Sequence, residues 1–310
     1  MDKFYFLGEC MVELRATEPS TMKQAFAGDV YNSAVYLKRS FPAIEAGMLT
    51  AIGKDGLSEK MLAEFKLEGL DCRFVFQHPE KLPGLYLIET DNTGERHFTY
   101  WRNDSAARQV MGFISPETTS LFTAGDSLFF SGISIAVLEE SGRERLWKLL
   151  SELKARGVRL IFDPNYRARL WSSPQQAASA FMRALELADV ALPGVEDLTA
   201  LFDIQTPEAA IAFCRPFNLT EVVIKNGPHS VVTCDAGHVE HHDITPVKEV
   251  VDTTSAGDAF NGVYLGARAN GASISDAVQL AATAAGTVIQ HPGAIIPLEP
   301  FKSAMKSAGL

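Results

Sequence analysis

Ser255-Ala256-Gly257-Asp258 stands between a short polar run and an apolar helical pattern, in "VVDTTSAGDAFNGVYLGARA" over residues 250–269. A helix start presents N–H groups without intrahelical partners and the positive end of the helix dipole. Ala256 and Gly257 carry little or no side chain, so the N–H groups of residues 256–258 stay open to an anion. Such a cradle would hold the negative charge that develops on a phosphoryl group in transfer. An aspartate there repels a bound phosphate unless it contacts the attacking group. A carboxylate beside an anion pocket suits a general base that takes a hydroxyl proton. The same four residues also spell a capping box, a hydroxyl followed three residues later by an acid. A cap has no use for Gly257 in the first turn, where glycine costs about 1 kcal/mol relative to alanine. That cost favours Asp258 as a base.

The chain that must position these groups alternates its elements. "FYFLG" (4–8) reads as a buried strand, 29–41 as a helix, 46–53 as a strand and 57–70 as a helix. From 126 onward strands ("SLFFSG", "VRLIFD", "ADVALP", "EVVIK") alternate with helices over 139–156 and 175–187. A "SVVTC"/"HVEHH" hairpin and helices over 255–270 and 274–290 follow. Alternation of this kind implies a mostly parallel sheet covered by helices on both faces. Between them "CRFVFQ", "GLYLIET" and "ERHFTYW" are aromatic and β-branched runs, an all-β insertion near 72–102 that pairs with strands near 11–27 as a flap. Residues 1–9, 30–70 and 109–310 are thus expected to form a large α/β domain, and 10–29 with 71–108 a β-sheet lid.

Within the flap, Asn92-Thr93-Gly94 fits a three-residue hairpin loop. That register pairs Asp91 with Glu95 and sets Tyr86 opposite Tyr100. Period two then places Tyr86, Ile88, Phe98, Tyr100 and Arg102 on one face. Two tyrosines and an arginine suit a sugar and a carboxylate, which arginine grips bidentately; a cross-strand aromatic pair with a solvated arginine is the plainer alternative.

Bulk properties narrow the partners. The 310 residues are 46% hydrophobic and 21% charged, ordinary for a soluble globular protein, with a formal charge of −10. An acidic chain without a Lys/Arg block is a poor match for nucleic acid or an anionic membrane. Cys10, Cys72, Cys214 and Cys234 have neither zinc-ligand nor redox spacing, and are expected as reduced thiols in the cytoplasm. The N-terminus lacks a basic leader and a cleavage site, so no signal peptide is expected.

"DTTSAGDAF" (252–260) resembles the D-T-x-G-A-G-D signature of the ribokinase-like (PfkB) sugar kinases, with Ser255 in place of a glycine. "AGDVYNSA" (27–34) resembles their G-G-D-x-x-N-x-A segment, with Ala27 for the first glycine. The resemblance implies a three-layer α/β/α sandwich with a mostly parallel central sheet and a small β-sheet lid. It implies Asp258 as base, an anion hole at Ser255, Ala256, Gly257 and Asp258, and sugar hydroxyls held by Asp29 and Asn32. ATP is implied along the C-terminal strand edges, with "VVIKNGPHSVV" supplying Lys225, Asn226 and Gly227 beside Gly257. The N-x-x-E motif of Mg²⁺ handling is degraded in "LPGVEDL": Glu196 remains, Pro193 replaces the asparagine, and Asp197 reads as a solvated helix residue. Asp252 and Thr254 resemble positions whose carbonyls bind K⁺ in some members.

"GECMVEL", "LPGLYLIETDNTGERHFTYWRN", "SGISIAVL", "FDPNYRARLW" and "VIQHPGAIIP" resemble the branch that phosphorylates 2-keto-3-deoxygluconate. That implies substrate contacts from Gly28, Tyr86, Tyr100, Arg102 and Arg167, the two arginines facing the acid end. In "FDPNYRARLW", Asn165 is expected at the nucleotide, and Arg169 as a helix cap or a solvated side chain. Stereochemistry at the galactonate position stays open, and so does oligomeric state, although the exposed flap suits pairing with a second copy. A kinase of a neutral sugar such as fructose is the alternative. A non-catalytic sensor would be expected to have lost Asp258 or Gly257, and a dinucleotide dehydrogenase would need the G-x-G-x-x-G that "FLGECMVEL" lacks.

Overall fold

The computed structural model describes residues 3–18, 20–90 and 96–310. Its strands are β1 Phe4–Leu7, β2 Met11–Glu18, β3 Thr21–Ala27, β4 Ala46–Ile52, β5 Asp71–Gln77, β6 Leu85–Thr90 and β7 Arg96–Trp101, then β8 Ser127–Ser131, β9 Arg159–Asp163, β10 Val190–Ala191, β11 Glu221–Asn226, β12 Ser230–Asp235 and β13 His238–Asp243. Nine of them form one sheet in the order β13-β12-β11-β10-β9-β8-β1-β4-β5. It is parallel from β11 to β5 and closes with an antiparallel β12–β13 hairpin on one edge.

The central strand shows why helices must cover both faces. All of "FYFL" in β1 is buried; Phe4 and Phe6 enter one core, Tyr5 and Leu7 the other. The first core is capped by helices Asp29–Ser40, Ala256–Ala269 and Ile274–Val288, through residues such as Tyr31, Val263 and Ala281. The second is capped by Glu140–Ala155 and Pro174–Leu187, through Leu146, Leu150 and Phe181. The result is the expected three-layer α/β/α sandwich.

A separate four-stranded sheet, β3-β2-β6-β7, makes the lid. β2 pairs parallel to β6, and β6 pairs antiparallel to β7 with Tyr86 opposite Tyr100, as the alternation predicted. The Asn92-Thr93-Gly94 loop and the Asp91–Glu95 pair lie outside the described residues. One expectation is corrected. The run "DCRFVFQ" belongs to the large sheet, parallel to β4, and not to the lid. Phe74 is 1% exposed and packs edge-on to Tyr5. An aromatic, β-branched texture identifies a strand without saying which sheet recruits it. The helices Gly132–Val137, Val195–Phe202, Pro207–Cys214 and Leu298–Ser307 were not delimited in the sequence, beyond the reading of Asp197 as a helix residue. The first three have eight residues or fewer, too short for a clear helical period.

Candidate active site

Ser255 opens the helix Ala256–Ala269 in the left-handed region, φ 66° and ψ 10°, and its side chain makes no capping bond. The alternative reading of these four residues as a capping box is therefore not realised. The Asp258 carboxylate turns across to the helix Asp29–Ser40, where Oδ2 accepts from Asn32 Nδ2 at 2.8 Å. The cradle is narrower than expected, because the Ala256 N–H donates to the Thr253 carbonyl at 3.3 Å. Gly257 and Asp258 carry the N–H groups that a helix start leaves without intrahelical partners. A Cβ placed on Gly257 would meet open space, with Lys225 Nζ its nearest neighbour at 4.0 Å.

Lys225 thus lies under the helix start. Its Nζ donates to Asp163 Oδ2 at 3.2 Å and to Asn261 Oδ1 at 3.0 Å, while Asn261 Nδ2 donates to the same Asp163 oxygen at 2.7 Å. The second Asp163 oxygen is buried and has no hydrogen-bond partner among the described residues. Asp29 Oδ2 accepts from Ser131 Oγ at 2.5 Å and from Asn165 Nδ2 at 3.1 Å. Three carboxylates therefore converge at one end of the sheet, with one ammonium among them. Burial, and then the charge of Asp29, pushes the Asp258 carboxyl up to about 7 against the opposing Asn32 hydrogen bond. Burial also raises Asp29, opposed by Ser131. A half-protonated carboxyl near neutral pH beside an open helix start is suited to general base catalysis.

Gly28 is fixed by close backbone approach, since a Cβ there would lie 2.2 Å from the Glu9 carbonyl oxygen. Tyr86 and Tyr100 stack with ring centroids 5.6 Å apart, and the Tyr86 hydroxyl donates to Glu13. Arg102 is not a free cation. It is buried against Glu9, Nη2 to Oε2 2.5 Å, with side chains 8% and 1% exposed. Arg167 is exposed and leans toward Asp197 at 3.7 Å, while its Nη1 donates to the Tyr166 carbonyl at 2.8 Å. Asn165, expected at the nucleotide, is buried and hydrogen-bonded to Asp29. Asn226, Gly227 and Glu196 line a separate cleft of about 460 Å³ with Val195 and Ala200. Gly227 has φ +54°, the left-handed turn conformation that glycine adopts freely.

Asp197 is corrected from a solvated residue. Its side chain is 18% exposed, Oδ1 accepts the Tyr166 N–H at 2.8 Å, and burial and then Asp163 push its carboxyl up to about 6. Glu196 is exposed. Among the described residues no group of three or more His, Cys, Asp or Glu side chains could hold a metal ion. Glu9, Glu13, Asp163 and Asn261 were missed by the sequence reading, and Arg169, read as a helix cap or a solvated side chain, lies over the Tyr100 ring. Asn261 had a signal, lying one turn beyond Asp258 on the same helix face; the acids had none, because their partners are remote in the chain.

Residues 1–300 match the pfkB family carbohydrate kinase model. The chain is 39% identical over 307 residues to a 2-dehydro-3-deoxygluconokinase of Escherichia coli K12, covering 96% of this chain and 98% of that relative. It is 40% identical over 299 residues to the protein of that name from Dickeya dadantii, covering 94% and 96%. Among solved structures, a fructokinase with bound ATP from Xylella fastidiosa superposes with TM-score 0.84 at 20% identity, over 99% of both chains. Among the described residues no helix is long and apolar enough to cross a membrane.

Proposed function

This chain belongs to the pfkB family of carbohydrate kinases, and from that premise we propose that it transfers the γ-phosphoryl group of ATP to the terminal hydroxyl of 2-keto-3-deoxygluconate. The product would be the 6-phosphate. The observation that carries the reading is the Asp258 carboxyl, raised to about 7 and hydrogen-bonded across to Asn32 of the facing helix. The names of the relatives at 39% and 40% identity support the substrate class.

ATP with Mg²⁺ would supply the phosphoryl group and neutralise part of its charge. Asn226, Gly227 and Glu196 would flank the nucleotide in their cleft. Asp29 and Asn32 would orient the sugar hydroxyls, and the lid face bearing Tyr86 and Tyr100 would exclude water. Asp258 would take the hydroxyl proton as the oxygen attacks. The Gly257 and Asp258 N–H groups, with Lys225 beneath them, would hold the charge on the group in flight. Met22 and Trp101, 55% and 56% exposed, are apolar surface on the lid suited to a second copy of the chain; size-exclusion chromatography of a Trp101→Glu variant tests that pairing.

A neutral-sugar substrate draws support from the acids that already face Arg102 and Arg167. A coupled assay for ADP release decides between the readings. Keto-deoxy acids of gluconate and galactonate configuration should turn over with kcat/KM about a hundredfold or more above fructose and ribose. Equal or better turnover of fructose would overturn the acid-sugar reading.

A further inference from the structure

Asp163, Lys225 and Asn261 belong to three separate elements and close a triangle. Asp163 ends β9, and Lys225 lies one residue before the end of β11. Strand β10 stands between those two in the sheet and stops at Ala191. The lysine stem reaches past it, and Nζ donates to Asp163 Oδ2 at 3.2 Å. Asn261, on the helix Ala256–Ala269, completes the figure. Its Oδ1 accepts from Nζ at 3.0 Å, and its Nδ2 donates to Asp163 Oδ2 at 2.7 Å. Asn261 is 0% exposed and Asp163 4%.

The chemistry of the three groups permits one orientation of the amide. An ammonium has only donors and a carboxylate only acceptors. Turning the amide over would set N–H against ammonium and oxygen against carboxylate. Each member is therefore fixed by the other two. The backbone that carries Asn261 is fixed as well. A Cβ on the next residue, Gly262, would lie 2.2 Å from the Ser33 carbonyl oxygen, so this helix seats directly on the backbone of the helix Asp29–Ser40. A lysine alone has a flexible four-carbon stem and a strongly hydrated head, and burial of that charge without a partner is unfavourable. Two bonds from different elements decide where the ammonium sits, 4.0 Å from the point a Gly257 Cβ would occupy.

We propose that Asp163 and Asn261 are positioning residues that hold the Lys225 ammonium under the helix start, where it meets the phosphoryl group in transfer. The inference rests on the phosphoryl-transfer reading of that helix start and not on which sugar is the acceptor. Asp163 and Asn261 act through Lys225, so their contribution disappears when the ammonium does.

Steady-state kinetics test this on Lys225→Met, Asp163→Asn, Asn261→Leu and their combinations. The acceptor is a keto-deoxy sugar acid or fructose, whichever the wild type turns over faster. Lys225→Met should lower kcat about a hundredfold, the scale of one lost donor to developing charge. Asp163→Asn and Asn261→Leu should each lower kcat about tenfold or more, with KM for the acceptor changed less than about threefold. Asp163→Asn/Lys225→Met should be slower than Lys225→Met by less than about twofold, and adding Asn261→Leu should slow it no further. The combined variants leave no buried charge unpaired in the triangle. Asn261→Leu keeps the Asp163–Lys225 pair and carries the test by itself if Asp163→Asn alone does not fold. A kcat of Asn261→Leu within about threefold of wild type would overturn the proposal. So would losses that multiply across the combined variants, because the residues would then act independently of Lys225. If Lys225→Met and Gly257→Ala both keep wild-type kcat, the phosphoryl-transfer reading of the helix start fails; if Lys225→Met is slow and Asn261→Leu is not, only this assignment falls.

Discussion

Replacing Asp258 with asparagine exchanges one carboxylate oxygen for an amide and leaves the shape nearly unchanged. Asn32 Nδ2, 2.8 Å from Oδ2, still has an amide oxygen to donate to, so sugar binding should survive. A positioned general base contributes about 10²–10⁴-fold, which corresponds to roughly 3–5 kcal/mol of barrier, and kcat should fall by that factor. The wild-type pH profile carries a second signature. With the carboxyl at about 7, roughly a tenth of the sites are ionised at pH 6. kcat/KM should therefore rise about tenfold from pH 6 to a plateau above pH 8, and the residual activity of Asp258→Asn should lack that rise. Stability moves in the opposite sense. The folded pKa is raised from 3.8 to about 7, so the folded state holds this proton more tightly than the unfolded chain. The stabilising contribution is complete below 3.8 and is lost as pH climbs through 7. Asp258→Asn, which has no such group, should gain in melting temperature over wild type more at pH 8 than at pH 5. Thermal melts at both pH values and initial rates from pH 5.5 to 9 are the assay. A variant keeping more than about a tenth of wild-type kcat, or a flat wild-type profile between pH 6 and 8, would refute the base assignment.

Gly257→Ala separates catalysis from folding. The added methyl meets nothing nearer than Lys225 Nζ at 4.0 Å, and alanine in a helix gains up to about 1 kcal/mol over glycine, so melting temperature should hold or rise while kcat falls. Unchanged kcat would mean that no phosphoryl group passes over this helix start. Arg102→Ala should act first on stability, since removing one partner of a buried ion pair costs about 3–5 kcal/mol. The double variant Glu9→Gln/Arg102→Met should recover most of that in urea unfolding, and no recovery would show that Arg102 does not depend on Glu9.

The large sheet could be read from the chain because its evidence is local. Buried apolar runs alternating with amphipathic helices require both faces of a parallel sheet to be covered, and β1, β4, β8, β9 and β11 stand where the sequence puts them. The helix start at Ala256 was also legible, because small residues before an acid ahead of an apolar helical run are a pattern within a few positions. The same holds for Tyr86 opposite Tyr100, fixed by period two and a loop. Tertiary structure decided the rest. Strand β5 joined the large sheet because Phe74 fits beside Tyr5, a matter of shape that no local propensity encodes. Asp258 and Asn32 meet across 226 positions of chain, and Arg102 becomes neutralised only because Glu9 is buried beside it. By itself the sequence determined which local patterns are candidates for chemistry, since backbone geometry and side-chain type act over short spans. Which of those charges are paired, and which are left for a ligand, depends on burial and on distances between remote segments, and only the folded chain sets those.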